Sequence, residues 1–487
     1  MLAKNDPKLL VISAVALAMG FVFSSLDIAQ SPLYLWKLSV GEGLHSFMIH
    51  AGYLGWYLVA MFLFSQSGWR KSLLAVVPGF VGALVYLTVA QPHYDAQDYF
   101  LIFGFAIGVY LPFLLVYHRR SNITTADYRR KIDAMLYFWA AIVLLALLPP
   151  TYLNVTLFFH PTTFDLHLYH FEATMGFLPS VQLASLADAL PTFEQVIKHA
   201  YHYMPLGYAV LLGAQLARPD RPAINLLAAW LISEFIAWTG YHLLPVAGPK
   251  FLFLEAFPTD VPSSDSLPVQ QSLVIPASRN GVPSMHFGWA LMLWLNANLL
   301  RVTWLRLGAA LLLAMNFIAT MALGEHYFVD LVIAVPVIVA VQALCMTTLP
   351  WNSPLRRRAI IAGVGIWLAW VVALRYGIPL FKAVPGLSWL AMAGTIVASI
   401  WLYLPLVTAF KANWQNSESN RSLAPQRVPI GKELRMATAL FVVSGFAALM
   451  YEVLFSKALA LTFGSTATAT YTVLATYMGG IAIGAWL

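Results

Sequence analysis

Three short polar segments interrupt an otherwise apolar stretch, and their side chains suit phosphoryl chemistry. They are residues 241–250 (YHLLPVAGPK), 278–286 (SRNGVPSMH) and 324–330 (GEHYFVD). We call them islands 1, 2 and 3. Each lies where a long hydrophobic run starts or stops, so together they bring Lys250, Arg279, His286, His326 and Asp330 to the ends of apolar segments. Cations of this kind bind phosphate oxygens, and imidazoles attack phosphorus or move protons.

Island 3 predicts a nucleophile with a supporting carboxylate. His326 and Asp330 are four residues apart, so on a helix they would lie on one face, about a turn from each other. A carboxylate there accepts the proton of one imidazole nitrogen and leaves the other nitrogen as nucleophile or base. The alternative is an interfacial histidine beside a helix-capping aspartate.

Island 2 predicts an anion-binding helix start. Pro283 suits the first turn of a helix, and the free amide groups there, with Ser284, can bind an anionic oxygen. His286 could then protonate a leaving alcohol. Lys250 and Arg279 add two cations that could clamp a phosphate. The alternatives are an ordinary loop-to-helix junction and cations that merely snorkel at a membrane edge.

The composition predicts that a membrane protein positions these islands. Of 487 residues, 60% are hydrophobic and 10% are charged, against about 25% charged in a soluble domain. The net charge of +7 predicts no nucleic-acid partner, because the cations lie in short loops between apolar runs. The single cysteine, Cys345, lies inside an apolar run and cannot build a disulfide framework or a cysteine metal site.

The apolar runs predict an all-α fold. A membrane-crossing helix needs about 20 residues, and these runs are too long for barrel strands. The first run, after Lys4 and Lys8, is interpreted as a retained helix rather than a cleaved signal peptide. We therefore expect a polytopic transmembrane bundle of about 12 to 14 helices. The predicted helices are 9–29, 46–66, 73–90, 99–117, 133–156, 200–216, 223–244, 284–300, 307–324, 330–349, 359–378 and 387–410.

The charges of the connecting segments predict the topology. With a cytoplasmic N-terminus, the cytoplasmic segments carry 21 Lys and Arg residues and the opposite segments carry 6. This asymmetry obeys the positive-inside rule and places all three islands on the non-cytoplasmic face of the cell membrane. On that face, residues 157–199 are expected to form helices lying in the interface, and residues 251–277 a mobile cover.

The three islands resemble the signature motifs of the type 2 phosphatidic acid phosphatase superfamily. The closest branch is that of the inositolphosphotransferases, which includes the inositol phosphorylceramide synthases. The resemblance covers roughly residues 150–345, and position 250 has Lys where the branch commonly has Arg. The matching stretches are Pro245–Lys250, Arg279 with Pro283–His286, Gly324–Asp330, and Asp165–Tyr203 ahead of the first motif.

The resemblance implies a six-helix catalytic core and a division of roles. His326 would be the nucleophile that forms a phosphohistidine, with Asp330 orienting it and stabilising its charge. His286 would be the acid for the leaving group and then the base for the acceptor. No metal or cofactor is implied. The residues implied to hold phosphate oxygens are Lys250, Arg279 and Ser284. The spaced Lys and Arg of the phosphatase-type first motif are absent, which disfavours simple phosphatidate hydrolysis.

These observations divide the chain into five expected parts. The last resembles the start of the membrane part of spermidine-synthase-like fusion proteins and is expected to be truncated. The parts are N-terminal helices of unassigned role (1–149), a catalytic domain (150–350), additional transmembrane helices (351–410), a polar cytoplasmic linker (411–435) and a second membrane unit (436–487).

The function expected is transfer of a phosphoryl-type group from a membrane lipid to water or to a polyol. Two other classes stay open. A transporter or scaffold would use polar residues to line a path, but here they cluster at one membrane face. A metal-dependent membrane hydrolase would lose activity on chelation, but no zinc-binding helix motif is present. Its ligands would come from His160, His167, His170, His286 and His326.

Overall fold

Helices make up most of the part of the chain that the structure describes. The structure is a computed structural model, and its described residues all belong to one compact unit. The predicted helix at 9–29, most of the one at 73–90 and the predicted unit at 436–487 lie outside the described residues. The described residues are 53–65, 96–120, 126–270, 272–273 and 277–422, with Val77, Gly79, Val81 and Leu84.

The described helices are numbered here in chain order. They are α1 (Tyr53–Phe64), α2 (Ala96–Arg120), α3 (Ala126–Phe159), α4 (Asp165–Ala173), α5 (Pro179–Ala189), α6 (Pro191–His202), α7 (Met204–Ala217), α8 (Leu226–Leu243), α9 (Pro249–Phe253), α10 (Met285–Leu300), α11 (Thr303–Ala322), α12 (Phe328–Cys345), α13 (Pro354–Tyr376), α14 (Ile378–Ala383) and α15 (Leu387–Ser422). Two short strands, β1 (Thr162–Thr163) and β2 (Ser272–Leu273), pair antiparallel.

Five described helices are long and apolar enough to cross a membrane. They are α2 over Ile102–Arg120, α11, α12, α13, and α15 over Leu387–Gln415. Helices α1 and α7 are shorter apolar helices. The predicted fold class, an all-α polytopic membrane bundle, is therefore confirmed.

Helix starts follow from local sequence. Pro179, Pro191 and Pro354 occupy the first turns of α5, α6 and α13, where proline's missing N–H costs nothing. Asn225 caps α8, because its side-chain oxygen accepts the N–H of Ala228 at 3.1 Å. These signals place the starts of α5, α6, α8 and α13.

Helix α12 is the centre of the bundle. In the most apolar 18-residue stretch of α12, 83% of the residues are buried, against 33% in the corresponding stretches of α11 and α13. Helices α8, α10, α13 and α15 pack around α12. Gly363 of α13 permits close packing there. A Cβ at that position would lie 2.6 Å from the carbonyl oxygen of Pro336 and 3.0 Å from Cβ of Ala340, both on α12. The helix that begins at island 3 is thus held on all sides.

Two segments differ from expectation. Helix α4 does not lie in an interface, because its side chains from Asp165 to Glu172 are buried in the protein. Its polar groups are accommodated there by backbone partners described below. Helix α15 continues to Ser422, so the first residues of the predicted linker are helical. Elongation of an existing helix needs no new nucleus, which explains how a polar segment extends it.

We predict that Gly363→Val destabilises the bundle. The new side chain would overlap α12, and overpacking of this kind costs about 1 to 3 kcal/mol. Gly365→Val, on the same helix, is the matched control, since a Cβ at Gly365 meets nothing within 4 Å. The measurement is the unfolding temperature of the purified protein in detergent. Equal shifts for the two variants would contradict the close α12–α13 contact.

Candidate active site

The three islands meet at one end of the bundle through backbone hydrogen bonds. The N–H of Gly281 in island 2 donates to the carbonyl of Val246 in island 1 at 2.9 Å. The N–H of Ser284 in island 2 donates to the carbonyl of Asp330 in island 3 at 3.2 Å. Residues separated by more than eighty positions in the sequence thus form a single loop cluster.

Islands 1 and 3 approach each other at two glycines. The N–H of Lys250 donates to the carbonyl of Gly324 at 3.1 Å. Gly248 has φ +112° and a Cβ there would lie 2.5 Å from the carbonyl oxygen of Glu325. Gly324 has φ +68° and a Cβ there would lie 2.5 Å from Cβ of Lys250. Only glycine combines this backbone conformation with this clearance, so the pair sets the distance between the loops.

His326 lies in the loop before α12, with its side chain buried. Its Nδ1 is 2.9 Å from the carbonyl oxygen of Gly281 and 3.5 Å from Oδ2 of Asp330. A carbonyl oxygen can only accept a hydrogen bond, so Nδ1 carries the proton and donates a hydrogen bond to the carbonyl of Gly281. The lone pair is then on Nε2. This is the tautomer that a nucleophilic imidazole needs.

Asp330 supports His326 from a different position than the sequence predicts. Because α12 begins at Phe328, the two residues do not share a helical face. Oδ2 of Asp330 accepts the N–H of Tyr327 at 2.9 Å and so holds the loop directly after His326. The buried carboxylate remains 3.5 Å from the imidazole, close enough to stabilise a positive charge on it.

His286 lies in the first turn of α10, as the sequence predicts, and is partly exposed. Its ring stacks on Tyr201 of α6, with centroids 3.8 Å apart and planes 13° apart. It is also near enough to His326 for the two imidazoles to interact electrostatically. The two histidines therefore lie near each other, with His326 buried and His286 partly exposed.

The two predicted phosphate-binding residues of island 2 differ in availability. Ser284 is the N-cap of α10, and its buried hydroxyl makes no hydrogen bond to any described residue. Arg279 is fully buried and donates to the carbonyls of His160 at 2.9 Å, Pro161 at 3.5 Å and Ala277. These bonds take three of its five N–H donors. Arg279 ties loops together, and its contact with phosphate stays a prediction.

Lys250 is half-exposed at the edge of the loop cluster. Its Nζ is 3.1 Å from Oε1 of Glu325, the residue directly before His326. The cation predicted to hold phosphate is therefore paired with a carboxylate in this structure. An exposed pair of this kind contributes little to stability, so the ammonium can exchange partners at small cost.

Sequence reasoning missed the structural importance of Asp165. This buried residue of α4 accepts the N–H of Gly248 at 2.8 Å and of Ala247 at 3.0 Å, both in island 1. The Tyr327 hydroxyl of island 3 is 3.3 Å from the same carboxylate. Burial raises the pKa of Asp165, and the hydrogen bonds oppose that shift. A signal was present, since two acids seven residues apart on an apolar segment share one helical face.

The histidines considered as metal ligands do not form one cluster. Nε2 of His160 is 2.9 Å from Nδ1 of His242, at the end of α8. His167 and His170 lie on α4, against the backbone of residues 267–270. Within the described ranges, no group of three or more His, Cys, Asp or Glu side chains is arranged to hold a metal ion.

Comparison with known families bears on this loop cluster. Residues 166–344 match the family model of the PAP2 superfamily. The match includes most of α4 and all three islands, and it supports a membrane enzyme of phosphatase or phosphotransferase type. No curated protein and no solved structure gave a match. The PAP2 match supports the superfamily expected from the motifs and does not distinguish its branches.

We predict that the His326 imidazole stays neutral down to about pH 5. Burial lowers the pKa of His326 from 6.5 to about 4, although the charge of Glu325 acts to raise it. Glu325→Gln removes that charge and should lower the pKa further. The measurement is an NMR titration of carbon-labelled histidines, with His326→Gln used to assign the signal. A midpoint near 6.5 would show that water reaches this side chain in the resting site.

Proposed function

We propose that the protein transfers a phosphoryl-type group from a membrane lipid through a phosphohistidine at His326. The substrate is a lipid phosphate or phosphodiester, and the acceptor is water or a polyol hydroxyl. A polyol acceptor makes it a headgroup transferase of the inositolphosphotransferase kind, and water makes it a lipid phosphate phosphatase. The catalytic domain is proposed to span residues 150–350, which contain the matched segment.

One observation carries this proposal. Because the Nδ1–H of His326 donates a hydrogen bond to the carbonyl of Gly281, the lone pair of Nε2 is left for attack on phosphorus. The same loop cluster holds a second histidine near His326 and a buried serine hydroxyl with no partner among the described residues, a combination that a lone core histidine would not require. The superfamily match to the same loops supports the same chemistry.

The proposed reaction has two steps. In the first, Nε2 of His326 bonds to phosphorus, the bond from phosphorus to the lipid oxygen breaks, and protonated His286 gives its proton to that oxygen. A bound phosphate favours the protonated form of His286 because the two charges attract. In the second, the acceptor hydroxyl gives its proton to His286 and attacks phosphorus, and the phosphorus–nitrogen bond breaks. Asp330 stabilises the positive imidazole in between.

The phosphate oxygens need donors on the remaining sides. Ser284 and the free N–H groups at the start of α10 are proposed to bind one oxygen. Lys250 and Arg279 are proposed to bind others. The product formed from a labelled phospholipid, with and without added polyol, distinguishes the transferase from the phosphatase.

We predict different defects for the two histidines. His326→Ala should lose phosphoenzyme and lower turnover by about 10³-fold or more, because attack on phosphorus is lost with every substrate. His286→Ala should be slow with lipid esters but much less impaired with a nitrophenyl phosphate, whose leaving group hardly needs a proton. Asp330→Asn should lower turnover with both substrates, but by less than His326→Ala does.

The measurement is the ratio of rates on the two substrates for each variant. Equal ratios for His286→Ala and His326→Ala would refute the assignment of acid and nucleophile. A chelator control with the native protein accompanies the series, and loss of activity on chelation would favour the metal-dependent alternative.

The active site is further proposed to face the non-cytoplasmic side of the cell membrane. The charge asymmetry of the loops supports this orientation. Cysteine labelling tests it cleanly, because the single native cysteine, Cys345, is buried. Ser264→Cys, in the loop after island 1, should react with an impermeant thiol reagent in intact cells. Asn352→Cys, an exposed position before α13, is the matched control and should react only after lysis. The reverse pattern would move the site to the cytoplasm.

A further inference from the structure

A second buried carboxylate of α4 contacts the helix that follows the proposed nucleophile. Glu172 is fully buried. Its Oε1 accepts the backbone N–H of Phe328, and its Oε2 accepts the hydroxyl of Ser180 at 2.8 Å. Phe328 is the first residue of α12, so Glu172 caps this helix from another part of the chain.

This contact lies next to the proposed chemistry. Phe328 is two residues after His326 and two residues before Asp330. The N–H that Glu172 accepts is one of the free amide groups of a helix start, where a negative charge is also favoured by the helix dipole. A hydrogen bond to an ionised acceptor is stronger than a neutral one. Glu172 therefore restrains the peptide segment that joins the two catalytic side chains.

Glu172 and Asp165 act on different islands from the same helix. They are seven residues apart on α4, which separates them by about 10 Å along one face. Asp165 accepts N–H groups of island 1, and Glu172 accepts the N–H at the end of island 3. One rigid helix thus sets the spacing between island 1 and island 3.

The burial of Glu172 has a cost that these contacts offset. Burial raises the pKa of Glu172 to about 7, the negative charge of Asp330 acts in the same direction, and the bonds from Phe328 and Ser180 oppose it. An acid without such donors would be unfavourable in this core. An apolar residue would fill the space without the cost, so packing alone does not explain a glutamate here.

We propose that Glu172 is a positioning residue that aligns His326 and Asp330 for the transfer reaction by holding the first turn of α12. This inference rests on the proposed function and deepens it. It assigns a role to α4, which carries none of the residues proposed to contact the substrate. The role is geometric, so it acts on the rate of attack rather than on binding of the lipid.

The test compares two substitutions of Glu172 in the full chain. Glu172→Gln keeps an oxygen for the N–H of Phe328 and an amide that can donate to the Ser180 hydroxyl. Glu172→Leu keeps the approximate volume and removes both contacts. Asp188→Asn, an exposed acid on α5, is the control for loss of one negative charge.

Activity supplies the first readout. Glu172→Leu should lower kcat by about 10- to 100-fold with KM changed less than about twofold, as expected for loss of one charged hydrogen bond. Glu172→Gln should restore kcat to within about threefold of native. Retained kcat in Glu172→Leu, or an equal loss of kcat in both variants, would overturn the proposal.

Amide hydrogen exchange supplies a readout that needs no activity. The peptide containing Phe328 should exchange at least about tenfold faster in Glu172→Leu than in native protein, with the peptides of α13 unchanged. Faster exchange throughout the molecule would indicate general unfolding and would count against a local role. If the exchange result holds but native protein transfers no phosphoryl group from any lipid, the proposed function fails and the structural contact stands.

Discussion

Backbone N–H groups in the loops at this end of the bundle need acceptors away from water, and α4 supplies them. An unpaired buried N–H costs as much as a lost hydrogen bond. Asp165 satisfies two such groups in island 1, and Glu172 satisfies one at the start of α12. The loops can therefore be rigid while buried. His326 lies on a short segment between these hydrogen-bonded positions, so its alignment depends on the bonds that Asp165 and Glu172 accept.

Much of this arrangement could be predicted from sequence because it follows from hydrophobic periodicity and from residue type. Apolar runs predicted α10, α11 and α12 to within a few residues, since about 20 apolar residues must cross a bilayer. Consecutive helices cross in opposite directions, so the end of one helix and the start of the next lie on the same side, and the three islands then fall on one side. That reasoning predicted His286, Ser284 and His326 in one place, and the structure brings all three into the loop cluster.

The rest could not be predicted because its partners are backbone atoms. The carbonyl of Gly281, which sets the tautomer of His326, has no side-chain signature. The same holds for the amides that Asp165 and Glu172 accept. A segment with alternating apolar and polar residues suggests an interfacial helix, and α4 instead lies in the core because its acids find donors there. Burial of a charge is decided by tertiary contacts, which local patterns do not carry.

The pair formed by Lys250 and Glu325 makes anion binding a competition within the protein. An anion that reaches the ammonium competes with this carboxylate, although the three N–H donors of lysine also allow both to bind. A doubly charged phosphate does so more readily than a singly charged ion such as chloride, because attraction scales with charge. Once displaced, Glu325 would stand beside His326, the proposed nucleophile, as an acceptor for hydroxyl groups. Under the proposed role of Lys250, this pairing would make the resting site less open to surrounding salts than a free ammonium would be.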